Sequence, residues 1–222
     1  MQALKNFIDY INRNFLLFFI LLLLPVFIWS VTFPHSMVTW VGETFLLFIG
    51  LAIMLKTYKS FPLSTFSYAL IYIGACLILI GAHYSYAHVP LFDWLKSAFG
   101  SDRNNYDKLG HFFQGLIPVI VIREYFFRKS IINSDKWIEP LAITFSISLS
   151  AVWELLEWLA YTVYSLLGFK QSAVDFLGTQ NYFWDAQSDI LFATAGALTA
   201  SIVLRKYHNE SIKRLLRIKL MD

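Results

Sequence analysis

Residues 15–33 read FLLFFILLLLPVFIWSVTF, a run without one charged side chain. At 1.5 Å per residue, about 20 such residues reach across the hydrocarbon of a bilayer. Five further segments approach that length, near 37–55, 66–84, 108–127, 138–162 and 185–204. Backbone N–H and C=O groups find no water in that layer, so each crossing must satisfy them within a helix. The predicted fold is therefore all-α, a polytopic membrane bundle of about six transmembrane helices forming a single integral membrane domain over residues 1–222. Composition agrees: 57% of the chain is hydrophobic and 15% charged, against about 25% charged in soluble domains. Glu43 interrupts the second span, and Pro118 is expected to kink the fourth.

Orientation follows from the basic residues. With a cytoplasmic N-terminus, only Lys96, Arg103, Lys108 and Lys170 fall outside, leaving 14 of the 18 Lys and Arg residues inside. That bias predicts six spans with both termini cytoplasmic. The lone Cys76 lies mid-segment, so there is no disulfide framework or CxxC pair, and it reads as a small buried side chain. No small-residue cleavage site follows PVFIWSVTFPHS, and the first run reads as an uncleaved span.

Three segments are expected to lie along the membrane surface. Leu4, Phe7, Ile8 and Ile11 repeat at helical spacing before the first span. The tail SIKRLLRIKL is basic, with Ile212, Leu215 and Leu216 on one side, and suits an anionic leaflet. Phe92, Leu95 and Phe99, after Pro90, predict a short interfacial helix outside.

The polar residues of the spans converge on one level. Counting from residue 138, Glu154 and Glu157 lie roughly 24 and 28 Å along the fifth span, in the outer half. Ser146, Ser150, Glu154, Glu157 and Tyr161 share one face of it. The fourth span enters from outside with Asp107, His111 and Gln114 on one face. The sixth begins with Asp185 and Asp189 at i, i+4, above a small-residue face of Ala193, Gly196, Ala197 and Ala200 that permits close packing. His83 ends the third span at the same height. The expectation is an outward-facing cavity gathering these groups, with no Lys or Arg in the outer half of any span. Trp153, Trp158 and Trp184 read as interfacial anchors, and Asp107–Lys108 and Arg123–Glu124 as interfacial charges.

The stretches HYSYAHVP (83–90), RNNYDKLGHFFQG (103–115), RE (123–124), WELLEW (153–158) and FLGTQNYFWDAQSDILFATAGA (176–197) resemble the YjdF-like family of bacterial inner-membrane proteins. Asn181-Tyr182 departs from the Gly-Asp that the family pattern places after Thr-Gln. DKLGHF and WDAQSDI are more weakly similar to VanZ-like proteins, a family tied to glycopeptide-antibiotic resistance. The resemblance implies a multi-pass protein of the bacterial inner (cytoplasmic) membrane and names no reaction.

Ionisable groups inside a membrane are functional by default. Carboxylates with imidazole and no thiol form a hard O/N set suited to Mn²⁺, Mg²⁺ or Zn²⁺. Asp107, His111, Glu154, Glu157, Asp185 and Asp189 are the candidate metal ligands. Alternatively, like charge keeps one of the paired acids protonated beside His111 as base. His111, Glu154, Glu157 and Asp189 are the candidate catalytic residues, with His83 and Gln114 accessory. No contiguous metal motif such as HExxH occurs. The partners implied are membrane lipids and a lipid-linked envelope substrate, with no nucleic acid. Three functions follow: an enzyme at the outer surface, a proton-coupled carrier, or a scaffold whose polar cluster locks helix packing.

Overall fold

The computed structural model of the chain describes residues 15–219. The amphipathic segment expected at Leu4, Phe7, Ile8 and Ile11 lies outside them. Helices account for most of what is described: α1 (Phe15–Val31), α2 (Met37–Thr57), α3 (Thr65–His83), α4 (Pro90–Phe99), α5 (Tyr106–Lys129), α6 (Asp135–Leu166), α7 (Lys170–Leu177), α8 (Asp185–Ile202) and α9 (Arg205–Lys219). By length and composition, α2, α3 and α6 are able to cross a membrane. A fourth candidate arises if α8 is joined to α9, to which it is bent by 58°. The chain is thus a polytopic helical membrane protein, and the apolar runs fall on its helices.

Local chemistry sets the helix ends. Ser36 and Ser64 stand in extended conformation ahead of α2 and α3, and each side chain accepts a backbone N–H of the first turn, satisfying a donor the helix itself leaves open. Pro90 occupies the first turn of α4, where its missing N–H is harmless. α4 ends at Gly100, whose φ of 63° is the left-handed conformation glycine adopts without strain. A short helix is therefore present over the residues where one was expected, and α5 runs unbroken through Pro118.

Two apolar clusters hold the bundle. One gathers Phe19, Leu23, Trp40, Met54, Tyr68 and Leu79 from α1, α2 and α3. The other gathers Leu116, Val119, Ile120, Ala142, Ala197 and Ala200 from α5, α6 and α8. The small-residue face of α8 does what its composition allows. A Cβ on Gly115 would lie 1.8 Å from the Ala193 carbonyl oxygen, and one on Gly196 would lie 1.9 Å from that of Phe112. Only glycine lets these backbones meet. Ser146 on α6 then donates to the Gly115 carbonyl at 2.6 Å, tying α6 to the same pair.

The end of the bundle where α9 packs differs from expectation. Arg123 and Glu124 are buried instead of interfacial, with Glu124 fully enclosed. Its carboxylate accepts from the Ser64 N–H at 2.8 Å, Ser67 Oγ at 2.6 Å and Arg128 Nη1 at 2.6 Å. His208 on α9 completes the set at 3.2 Å. Arg123 donates to His208 Nδ1 at 2.8 Å, leaving Nε2 to carry the imidazole proton toward Glu124. Arg123 also contacts Glu139 and Asn209, and Ser201 contacts Glu139. Here His208 and Ile212 turn into the bundle, while Lys213 and Arg214 stay exposed. Helix α9 is docked by a buried polar clamp as well as by its apolar side. Trp153, expected as an interfacial anchor, is buried against Phe45 and Phe176, whereas Trp158 and Trp184 are exposed.

Candidate functional site

The N-terminal ends of α5 and α8 meet through charge. Lys108 is buried and its Nζ lies 2.7 Å from Asp185 Oδ1 and 2.8 Å from Asp189 Oδ1, with Asp107 Oδ2 at 3.6 Å. Arg103, just ahead of α5, pairs with Asp107 and reaches Asp185 Oδ1 at 2.6 Å. Burial works against the charge on Arg103, and the carboxylates of Asp107 and Asp185 more than offset it, raising its pKa. The expectation of a site without a cation is thereby corrected. Lys108 sits in the first turn of α5, where the sequence reads as an interfacial charge. Three acids on two neighbouring helices are what draw it inward.

A loop locks this network in place. The Arg103 guanidinium donates to the Thr179 carbonyl at 2.7 Å, and Asn104 and Gln180 exchange two hydrogen bonds of 2.9 and 2.8 Å. Asn181 has φ 66°, a left-handed conformation in which asparagine is the usual substitute for glycine. That accounts for one half of the departure from the family pattern. At the other half, the Tyr182 ring lies over both cations, 5.5 Å from Arg103 and 5.7 Å from Lys108, so a π face meets the positive charge where an acid was expected.

Below the ion pairs lie the groups that have no such partner. His111 Nδ1 is 2.8 Å from Gln114 Oε1, so the ring donates there and its Nε2 lone pair faces Asp189 Oδ1 at 3.6 Å. Glu154 Oε1 lies 3.6 Å from Nδ1 of the same ring, on the Gln114 side. It is buried and accepts no hydrogen bond, and neither does Ser150 Oγ one turn away on α6. His111, Glu154 and Asp189 bring one ligand atom each within 4.8 Å of one another, and Asp107, Asp185 and Asp189 do the same. Glu157 belongs to neither set. His83 is drawn elsewhere: its Nδ1 donates to the Ser30 carbonyl at 3.0 Å and its ring stacks on Trp29.

A cavity of about 290 Å³ opens beside this cluster, lined by Glu43, Tyr86, Asp107, His111, Gln114, Glu157, Asp185 and Asp189 among apolar side chains. Among the described residues no Lys or Arg lines it. Arg103 and Lys108 instead face a groove of about 710 Å³ between α4, α5 and α8, walled by Phe92, Phe112, Tyr182 and Phe192. The ion pairs thus form a wall with its carboxylates toward the cavity and its cations toward the groove. Sequence reading missed Lys108, Arg103, Glu43 and Tyr86 as members. Glu43 carried a signal, an acid in an apolar run; Tyr86 carried none.

Residues 15–210 match the family described as Predicted membrane protein (DUF2238). The Inner membrane protein YjdF of Escherichia coli (strain K12) is 38% identical over 180 residues, which cover 81% of this chain and 84% of that one. The chain belongs to this family. It is a multi-pass inner-membrane protein, in keeping with its apolar helices. No solved structure matches it.

Proposed function

We propose that the chain is an enzyme of the outer membrane surface, acting on a lipid head group or a lipid-linked envelope substrate through the His111–Glu154–Asp189 cluster. The observation that carries this reading is Glu154. Its Oε1 is buried with no hydrogen-bond donor, an arrangement a purely structural carboxylate avoids. The 3.6 Å separations from His111 are too long for hydrogen bonds. One runs from Nδ1 to Glu154 and the other from Nε2 to Asp189, and one ligand atom of each residue lies within 4.8 Å of the others, a set that would draw together around a shared ion. A hard O/N set with the second imidazole nitrogen already hydrogen-bonded to Gln114 fits a divalent cation such as Mn²⁺, Mg²⁺ or Zn²⁺. Bound there, the metal would supply Lewis acidity. The chain's own groups would position the head group and move protons through His111.

The alternatives meet specific obstacles. A carrier needs a path between the two faces, and the Leu116, Val119, Ile120, Ala142, Ala197 and Ala200 cluster fills the bundle below the site. A scaffold accounts for Asp107 and Asp185 through their ion pairs and leaves Glu154 unexplained. The reading also requires six spans with both termini cytoplasmic, which the bias of basic residues supports.

Two measurements test it. Cysteines placed at Ser97 and Lys170 are expected to react with an impermeant reagent in intact cells, and protection of both would put the site on the wrong side. Protein purified without chelator is expected to carry close to one equivalent of a divalent metal by elemental analysis. Chelation should remove it, and a protein that neither carries nor rebinds metal would leave only acid–base chemistry for His111 and Glu154.

A further inference from the structure

The 290 Å³ cavity has more acid in it than the wall of ion pairs or a metal at His111 would occupy. Glu43 on α2 and Glu157 on α6 both line it, and neither makes a salt bridge to Lys or Arg among the described residues. Around them stand aromatic rings from three other parts of the chain: Tyr86, Phe113 and Phe176, with Trp153 one turn before Glu157 on α6.

Two glycines seat these rings. A Cβ on Gly81 would come within 2.5 Å of the Tyr86 ring, and one on Gly42, beside Glu43, within 2.5 Å of Phe176. Tyr86 is held there with φ 54°, a conformation unusual for a tyrosine. Two carboxylates lining one cavity with aromatic rings recognise an ammonium group by charge and by cation–π attraction together.

The far end of the same cavity is apolar, built from Leu46, Leu47, Ile71, Ile78 and Ile117. Along α5 the lining passes from Asp107 and His111 through Gln114 to Ile117 and Pro118, so polarity falls toward the middle of the bundle. An outer-leaflet lipid has the same polarity. The cavity's volume of about 290 Å³ is just under the roughly 300 to 1,000 Å³ of ligand pockets, and fits a head group with the start of a chain.

We propose that this cavity receives the ammonium head group of a lipid, held between Glu43 and Glu157 beside the His111–Glu154–Asp189 cluster. This names a substrate class for the proposed enzyme and rests on that reading for its chemistry, though not for its binding. A phosphate-only head group would meet five carboxylates and, among the described residues, no Lys or Arg on the cavity wall, because Arg103 and Lys108 face the groove behind it.

The test titrates the purified protein in maltoside micelles by calorimetry with four probes: short-chain phosphatidylethanolamine, its N-acetylated counterpart, short-chain phosphatidylglycerol and free ethanolamine. The ammonium lipid is expected to bind at least about tenfold more tightly than each of the others. Glu43→Gln and Glu157→Gln should each remove most of that preference. They lie on different helices, so one variant suffices if the other fails to fold. Equal binding of the amine and its N-acetylated form would overturn the proposal, as would an unchanged preference in both variants. Equal affinity for free ethanolamine would overturn the lipid. Metal content is measured on the same samples. His111→Ala is expected to keep the ammonium preference while losing metal, whereas metal without the preference would remove this proposal and leave the enzyme reading standing.

Discussion

Lys108→Met is expected to destabilise the protein by about 3–5 kcal/mol, the usual consequence of removing one partner from a buried charge cluster. The lysine is buried and its Nζ lies within 2.8 Å of both Asp185 and Asp189. Its loss leaves those carboxylates facing each other with only Arg103 nearby. The methionine keeps most of the stem's volume, so packing loss contributes little and the effect reports charge. Adding Asp185→Asn and Asp189→Asn to Lys108→Met should recover much of the lost stability, because no unpaired charge then remains, and the deviation from additivity measures the coupling. Thermal or denaturant unfolding in detergent gives the comparison. A loss below about 1 kcal/mol for Lys108→Met would place these charges with exposed surface pairs and undo the wall between cavity and groove.

Glu154→Gln has the opposite signature. Its Oε1 has no donor to lose, and removing a buried charge leaves stability unchanged or raised. Function should fall all the same. If Glu154 is a ligand, metal affinity drops by more than the 10–100-fold typical of losing a mere supporting hydrogen bond around a metal. His111→Ala should reproduce the defect, and the double variant should be no worse than either alone, since groups acting as one unit do not add. The measurements are metal content, unfolding midpoint and growth under envelope stress in a strain lacking the chromosomal copy. Wild-type growth of both variants in conditions where the deletion grows poorly, with no metal in the wild type, would return the cluster to a packing role.

Apolar run length and the spacing of polar residues were enough to locate the long helices, though not α7, because the bilayer demands long runs of apolar side chains and helical periodicity decides which residues share a face. The helices begin and end within a few residues of the expected spans, and the small-residue face of α8 packs as closely as its glycine promised. The meeting of His111 with Gln114, Glu154 and Asp189 follows from the same periodicity once the helices are neighbours.

Pairing across helices was not legible, since it depends on which helices touch and at what height. Lys108 and the Arg123–Glu124 pair stand near span ends, where a charge usually reaches water. Burial turned the first into a bridge between two aspartates, and the second into the clamp that docks α9 through His208. Trp153 became a core ring for the same reason, because α7 folds back and sets Phe176 against it. Sequence alone determined that this chain enters a membrane as helices carrying acids and imidazole toward one level. The tertiary structure decided which acids are neutralised and which are left open, because a side chain's charge is fixed by its residue type whereas its partner is fixed by packing.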